Sequence, residues 1–178
     1  RLARLSEDTV RVARAVAVLG DGAEVAAVAA LAEMDEEDAA RCTEALARAE
    51  VLRPEPPLGF IHPLVREAVY RDISPGEREL HHERAAQLLS HAEAPPERIA
   101  AHLLVIPPRG DPDVAAMLQE AGRIALVKGA ADSAVLYLQR ALEEPPPTDR
   151  LPELVRQLGR AEAAQAGTGA VATLERAL

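Results

Sequence analysis

A mainly α-helical chain with one small β-hairpin is the fold that the sequence predicts, and three observations carry the prediction. The fourteen prolines fall in clusters: Pro54, Pro56, Pro57 and Pro63; Pro75; Pro95 and Pro96; Pro107, Pro108 and Pro112; and Pro145 to Pro147 with Pro152. A proline costs about 3 kcal/mol in a helix interior, so these clusters mark the ends of elements. The stretches between them are rich in Ala and Leu at helical spacing. Finally, AVLYLQRAL (Ala134 to Leu142) returns as AVATLERAL (Ala170 to Leu178), identical at six of nine positions with an offset of 36 residues.

Leu5, Thr9, Val12, Val16 and Leu19 fall on one face of a first helix. Ser6 can cap it, Glu7 and Asp8 suit its positive end, and Gly20 stops it. A short second helix carries Val25, Val28 and Leu31. Asp35 caps a third, whose inward residues are expected to be Ala39, Cys42, Leu46 and Ala49. Val51 to Arg53 and Phe60 to His62, joined by a Pro-rich turn that Gly59 closes, read as the β-hairpin. Three helices followed by a hairpin outline a winged helix. A fourth helix is expected from Leu64 to Tyr70, a fifth from Ser74 and Pro75 to about Ala92, and a sixth from Pro95 and Pro96 to about Val105.

The internal repeat organises the rest. Gly122-Arg123 returns as Gly159-Arg160 at an offset of 37. Periods in the mid-thirties predict stacked helical hairpins, each burying its apolar face on the next. Both glycines fall inside expected helices, which predicts close helix contact as compensation. The spacing Gly122, Ala134, Leu138, Ala141, Pro146 resembles the tetratricopeptide pattern of small, small, large and small residues followed by Pro. Its usual Trp and large aromatics are absent, with residues such as Leu118 and Leu138 in their place. The second copy stops at Leu178 within an expected helix, and the chain opens on Arg1 without Met. It therefore reads as an interior piece of a longer protein, with a winged helix over 1–73, a helical linker over 74–110 and truncated tetratricopeptide-like repeats over 111–178.

Composition excludes several functions. Only Phe60, Tyr70 and Tyr137 are aromatic, too few for a base-stacking platform. Twenty basic against 29 acidic residues give a net charge of -9, which disfavours nucleic acid and anionic lipid. No apolar run approaches the roughly 18 residues of a membrane span. The single Cys42 cannot form an internal disulfide, which fits a reducing, cytoplasmic compartment. The third-helix segment carries Asp35, Glu36, Glu37, Asp38, Glu44 and Glu50 against Arg41 and Arg48. Such a helix is repelled by the walls of a DNA groove, so this winged helix is expected to contact protein.

No catalytic constellation is visible. The P-loop pattern is absent and Lys128 is the only lysine. His82-Glu83 begins like a zinc-protease helix, but Ala86 stands where the second His is needed, and no metal site is expected. Cys42 follows an acidic first turn, which disfavours a thiolate, and reads as a buried structural thiol. His81, His82 and His91 lie on a charged helix and read as solvated or interface residues, while His102 is expected to tip its ring out of a helix interface. His62 differs: it follows two apolar strand residues and precedes Pro63, which restrains its backbone.

The run FIHPLVREAVY (Phe60 to Tyr70), followed by DISPGERELHHERAAQLL and then PPERIAAHLL, resembles the large LuxR-type transcriptional regulators that carry a STAND-class ATPase. The resemblance covers nearly the whole chain. It implies a non-catalytic regulatory segment: a winged helix and the start of a tetratricopeptide-like region, between an upstream NTPase domain that binds ATP or ADP and a C-terminal helix-turn-helix that reads DNA. It further implies that a protein or small-molecule inducer engages the repeats. By the same resemblance His62 is the winged-helix histidine that reaches the bound nucleotide phosphates and helps hold the inactive form. The rival expectation is a free-standing helical-repeat scaffold that binds a partner protein in a groove.

Overall fold

A computed structural model describes residues 6–55, 57–144 and 150–177, the stretch 168–177 by its backbone alone. The chain is mainly α-helical and divides into two compact units, Arg1–Ala92 and Glu93–Leu178. This division falls inside the segment 74–110 expected to be a linker: the fifth helix packs with the first unit and the sixth with the second.

In the first unit, helices α1 (Glu7–Leu19), α2 (Val25–Leu31), α3 (Glu36–Arg48), α4 (Pro63–Asp72) and α5 (Pro75–His91) are built around α1, which packs on all four others. The side chain of Ser6 accepts the Thr9 N–H and so caps α1, and Gly20 ends it at a φ of 81°. Burial on α1 spreads beyond the expected stripe of Thr9, Val12, Val16 and Leu19 to Ala13, Ala15, Ala17 and Val18, because neighbours lie on several sides. Leu5 lies outside the described residues. On α3, Ala39 and Leu46 are buried as the periodicity predicts. Thr43 replaces Cys42 as the third fully buried residue; Cys42 is half-buried against the core, and its Sγ accepts from the Thr9 hydroxyl at 3.8 Å. Asp35 stands at the N-cap of α3 without making the expected side-chain bond. Ser74 and Glu77 form a reciprocal capping box that starts α5.

The expected β-hairpin over Val51–His62 does not form as strands. Among the described residues its place is taken by two isolated antiparallel bridges, Leu52 with Phe60 and Ala23 with Leu58. The Arg53 N–H donates to the Gly59 carbonyl at 2.8 Å and the Ile61 N–H to the Val51 carbonyl at 3.1 Å, and the pairing goes no further. Pro54 and Pro57 have no N–H to give a longer ladder. Leu58 turns to the segment between α1 and α2 instead, accepting the Gly22 N–H at 3.0 Å. Arg53 and Asp21 form an ion pair at 2.9 Å, and a Cβ at Gly59 would collide with both side chains.

The second unit holds α6 (Pro96–Leu103), α7 (Pro112–Val127), α8 (Ala131–Glu143) and α9 (Leu151–Ala177). Helices α7 and α8 form a tight antiparallel hairpin through Ala115, Leu118, Ala121, Ala125, Ala134, Leu138 and Ala141. Gly122 has the close contact expected of it: a Cβ there would lie 2.6 Å from Leu138 Cγ. Gly159 does not; it is exposed, and an added Cβ would meet nothing within 4 Å. The second hairpin that the repeat predicts is also absent, since α9 continues through Gly167 and Gly169 as one helix. No antiparallel mate therefore approaches Gly159. The expected Pro145 to Pro147 breaker and Leu178 fall outside the described residues.

Candidate functional site

His62 lies where the bridged segment meets α4. Phe60 is buried with Leu52 and Leu58, which anchors the segment; Pro63 takes the first position of α4 and holds His62 at φ -120° and ψ 124°. The His62 carbonyl accepts the N–H groups of Val65 at 3.0 Å and Arg66 at 3.2 Å, while its exposed imidazole makes no capping bond. Ile61 before it is 38% exposed and Leu64 after it 84%. Val69 is the one fully buried residue of α4, so most of the helix presents an open face. Arg66 stays beside this surface because its Nε donates to the Ala17 carbonyl in the last turn of α1 at 3.2 Å. An imidazole at the end of a bridged segment, next to the positive end of a helix, is equipped to donate a hydrogen bond to an anion.

Of the other histidines, His91 is exposed as expected, while His82 and His102 are buried. His82 is buried between elements of the first unit, and its Nε2 is hydrogen-bonded to the Tyr70 hydroxyl at 2.8 Å, with the rings edge to face. Desolvation, helped by the charges of His81, Arg66 and Arg78, pushes the His82 pKa down to about 4, so the ring is neutral near pH 7. The Arg78 guanidinium lies over the Tyr70 ring, 5.3 Å from its centre. His81 is half-buried, and burial lowers its pKa too. His91 is exposed, with Nδ1 2.7 Å from the Gln87 carbonyl, and His102 is buried on α6 rather than turned out. Adjacent polar residues on a charged helix give no signal of which one faces inward; the packing of α5 on α1 and α2 decides it.

A polar cluster in the second unit has no forerunner in the sequence reading. Glu144, just after α8, turns its carboxylate into the loop before α7. Its Oε2 accepts the N–H groups of Arg109 at 3.1 Å, Gly110 at 2.5 Å and Asp111 at 2.9 Å. Its Oε1 pairs with Arg140 at 2.9 Å, and Arg140 also donates to the Ile106 carbonyl at 3.2 Å. Both side chains are buried. Desolvation is the largest influence on Glu144 and raises its pKa, but the bonds from Asp111, Arg140 and Gly110 together hold it below the ordinary carboxylate range. In sequence this is an Arg and a Glu four apart, indistinguishable from a surface pair. The cluster ties the α6–α7 loop to the end of α8; both faces of the carboxylate are used.

Among the described residues no group of three or more His, Cys, Asp or Glu side chains is arranged to hold a metal ion, and no helix is long and apolar enough to cross a membrane. No protein-family model, no curated protein and no solved structure matches this chain.

Proposed function

We propose that the chain is a non-catalytic regulatory segment of an ATP-dependent, cytoplasmic LuxR-type transcriptional regulator. Its first unit acts as the winged helix and its second as the start of a tetratricopeptide-like array that senses an inducer or partner. The observation that carries this reading is the placement of His62: an exposed imidazole at the mouth of the largely uncovered α4, flanked by exposed Ile61 and Leu64. In that position His62 can donate to a phosphate oxygen of ADP held by an upstream NTPase domain, while the apolar neighbours pack on that domain. The order α1, Ala23 bridge, α2, α3, Leu52–Phe60 bridge supports the winged-helix reading, with each strand reduced to a single bridge. The acidic first turn of α3, Glu36 to Asp38, argues for protein contact in place of DNA, which a C-terminal helix-turn-helix outside this chain would read.

The switch follows from differential binding. Nucleotide exchange moves the winged helix only if ADP favours the arrangement in which His62 touches phosphate and ATP favours another. Two measurements test the division of labour. Calorimetric titration of ATP into this chain is expected to show no micromolar binding; micromolar binding would contradict it. Determination of the reading frame is expected to reveal a P-loop upstream and a helix-turn-helix downstream. Stop codons at both ends would favour instead a free-standing helical-repeat scaffold, a reading supported by the exposure of Val127 and Leu136 on the α7–α8 hairpin.

A further inference from the structure

Helix α4 is held to the first unit by little apolar packing. Seven of its ten residues are exposed and Val69 alone is fully buried, whereas the seven-residue α2 buries Val28, Ala29 and Leu31. The segment is pinned instead at its two ends, by Phe60 before it and Ile73 after it, both buried. Between those pins the helix is held by polar links. The Arg66 Nε–H donates to the Ala17 carbonyl of α1 at 3.2 Å, the Tyr70 hydroxyl and His82 Nε2 of α5 are hydrogen-bonded at 2.8 Å, and Asp72 pairs with Arg14 of α1 at 2.7 Å. The Arg78 guanidinium over the Tyr70 ring adds a cation–π contact.

Hydrogen bonds and exposed ion pairs exchange readily with water and stabilise less than a buried apolar face of the same extent. A ten-residue helix is also marginal by itself in water, so α4 cannot leave α1 and stay helical. We propose that α4 is a releasable strap: it undocks and unfolds between Phe60 and Ile73 while α1, α2, α3 and α5 stay folded, and the Tyr70–His82 bond sets how often it does so. The core survives the release because its fully buried Val12, Val16, Val28, Leu31, Leu46 and Leu52 all belong to other segments. Release uncovers Val69 and the flank of α1 that bears Arg14 and Ala17. His62, at the N-cap of the strap, loses its fixed position at the same moment. What that does to nucleotide sensing rests on the function proposed above; the strap itself rests on how α4 is packed.

Native-state hydrogen exchange in the whole chain reads the strap without nucleotide, so the strap and the role of His62 can fail separately. The amides of Glu67 to Asp72 are expected to share one level of protection, at least about 100-fold below that of Val12 to Leu19. Their exchange should stay level in low urea while that of α1 rises, because a small opening exposes little surface. Protection equal to that of α1, or an equal rise with urea, would overturn the proposal; so would protection graded outwards from Val69, which is fraying. Tyr70→Phe keeps the ring beneath Arg78 and removes only the hydroxyl. That variant should exchange roughly fivefold faster in α4, the effect of one net hydrogen bond, and remain level in urea. Unchanged α4 exchange would overturn the part assigned to the Tyr70–His82 bond.

Discussion

At the scale of single residues, the sharpest constraint is a missing atom. Because a Cβ at Gly122 would lie 2.6 Å from Leu138 Cγ, and Leu138 is fully buried, Gly122→Ala forces the α7–α8 hairpin apart. The expected cost is about 1–3 kcal/mol in urea unfolding, as for other overpacked cores. His82 makes a second residue-scale prediction. Its folded-state pKa of about 4 lies below the ordinary 6.5, so its contribution to stability is complete above pH 6.5 and is lost as pH falls towards 4. Over that interval the first unit is expected to lose on the order of 2–3 kcal/mol through this group. Urea titrations at pH 7 and pH 4.5 check this: in a His82→Gln variant the pH-dependent loss should shrink, and an unchanged loss would place the acid sensitivity elsewhere. The extended backbone of His62 follows from its neighbour Pro63. The burial of His82 was not legible in the sequence, because its side chain and that of His81 differ only in which way the helix turns them.

At the scale of elements, several helix starts are plain because Ser6, Pro63, Ser74, Pro75 and Pro96 announce them. Helix ends were harder. Helices α2, α3 and α5 are each followed by a left-handed Glu, at Glu33, Glu50 and Glu93, where the sequence signal would have been Gly or Asn. The Val51 N–H closes the end of α3 on the Leu46 carbonyl at 2.9 Å and makes the left-handed turn obligatory. Glu50→Gly, at a φ of 58°, should therefore stabilise the first unit by about 1 kcal/mol in thermal or urea unfolding. The strand-like residues of Val51–His62 reach only single bridges, because they flank a turn whose prolines cannot donate to a ladder. The Arg140–Glu144 clamp leaves no mark in the sequence, because only burial turns an ordinary i, i+4 pair into a tie between α8 and the loop before α7. Replacing Arg140 with Met leaves the Glu144 charge buried without its guanidinium, and the second unit should lose about 3–5 kcal/mol. Urea unfolding of R140M checks this; a loss below about 1 kcal/mol would mean the three backbone N–H groups suffice alone.

At the scale of the whole molecule, the two units divide at Ala92 and Glu93, inside the segment 74–110 expected to be a linker. Proline clusters mark helix ends well and unit boundaries poorly, because a compact unit is defined by what packs together. The function proposed here turns on one exposed imidazole and the face around it. The most direct measurement is the rate of ADP release from the proposed full-length regulator with His62 intact and with His62→Ala. Loss of a charge-assisted bond of about 1.5 kcal/mol predicts release roughly tenfold faster in the variant, with raised basal transcription. Identical release rates would remove His62 from the switch and with it the nucleotide-sensing role of the first unit.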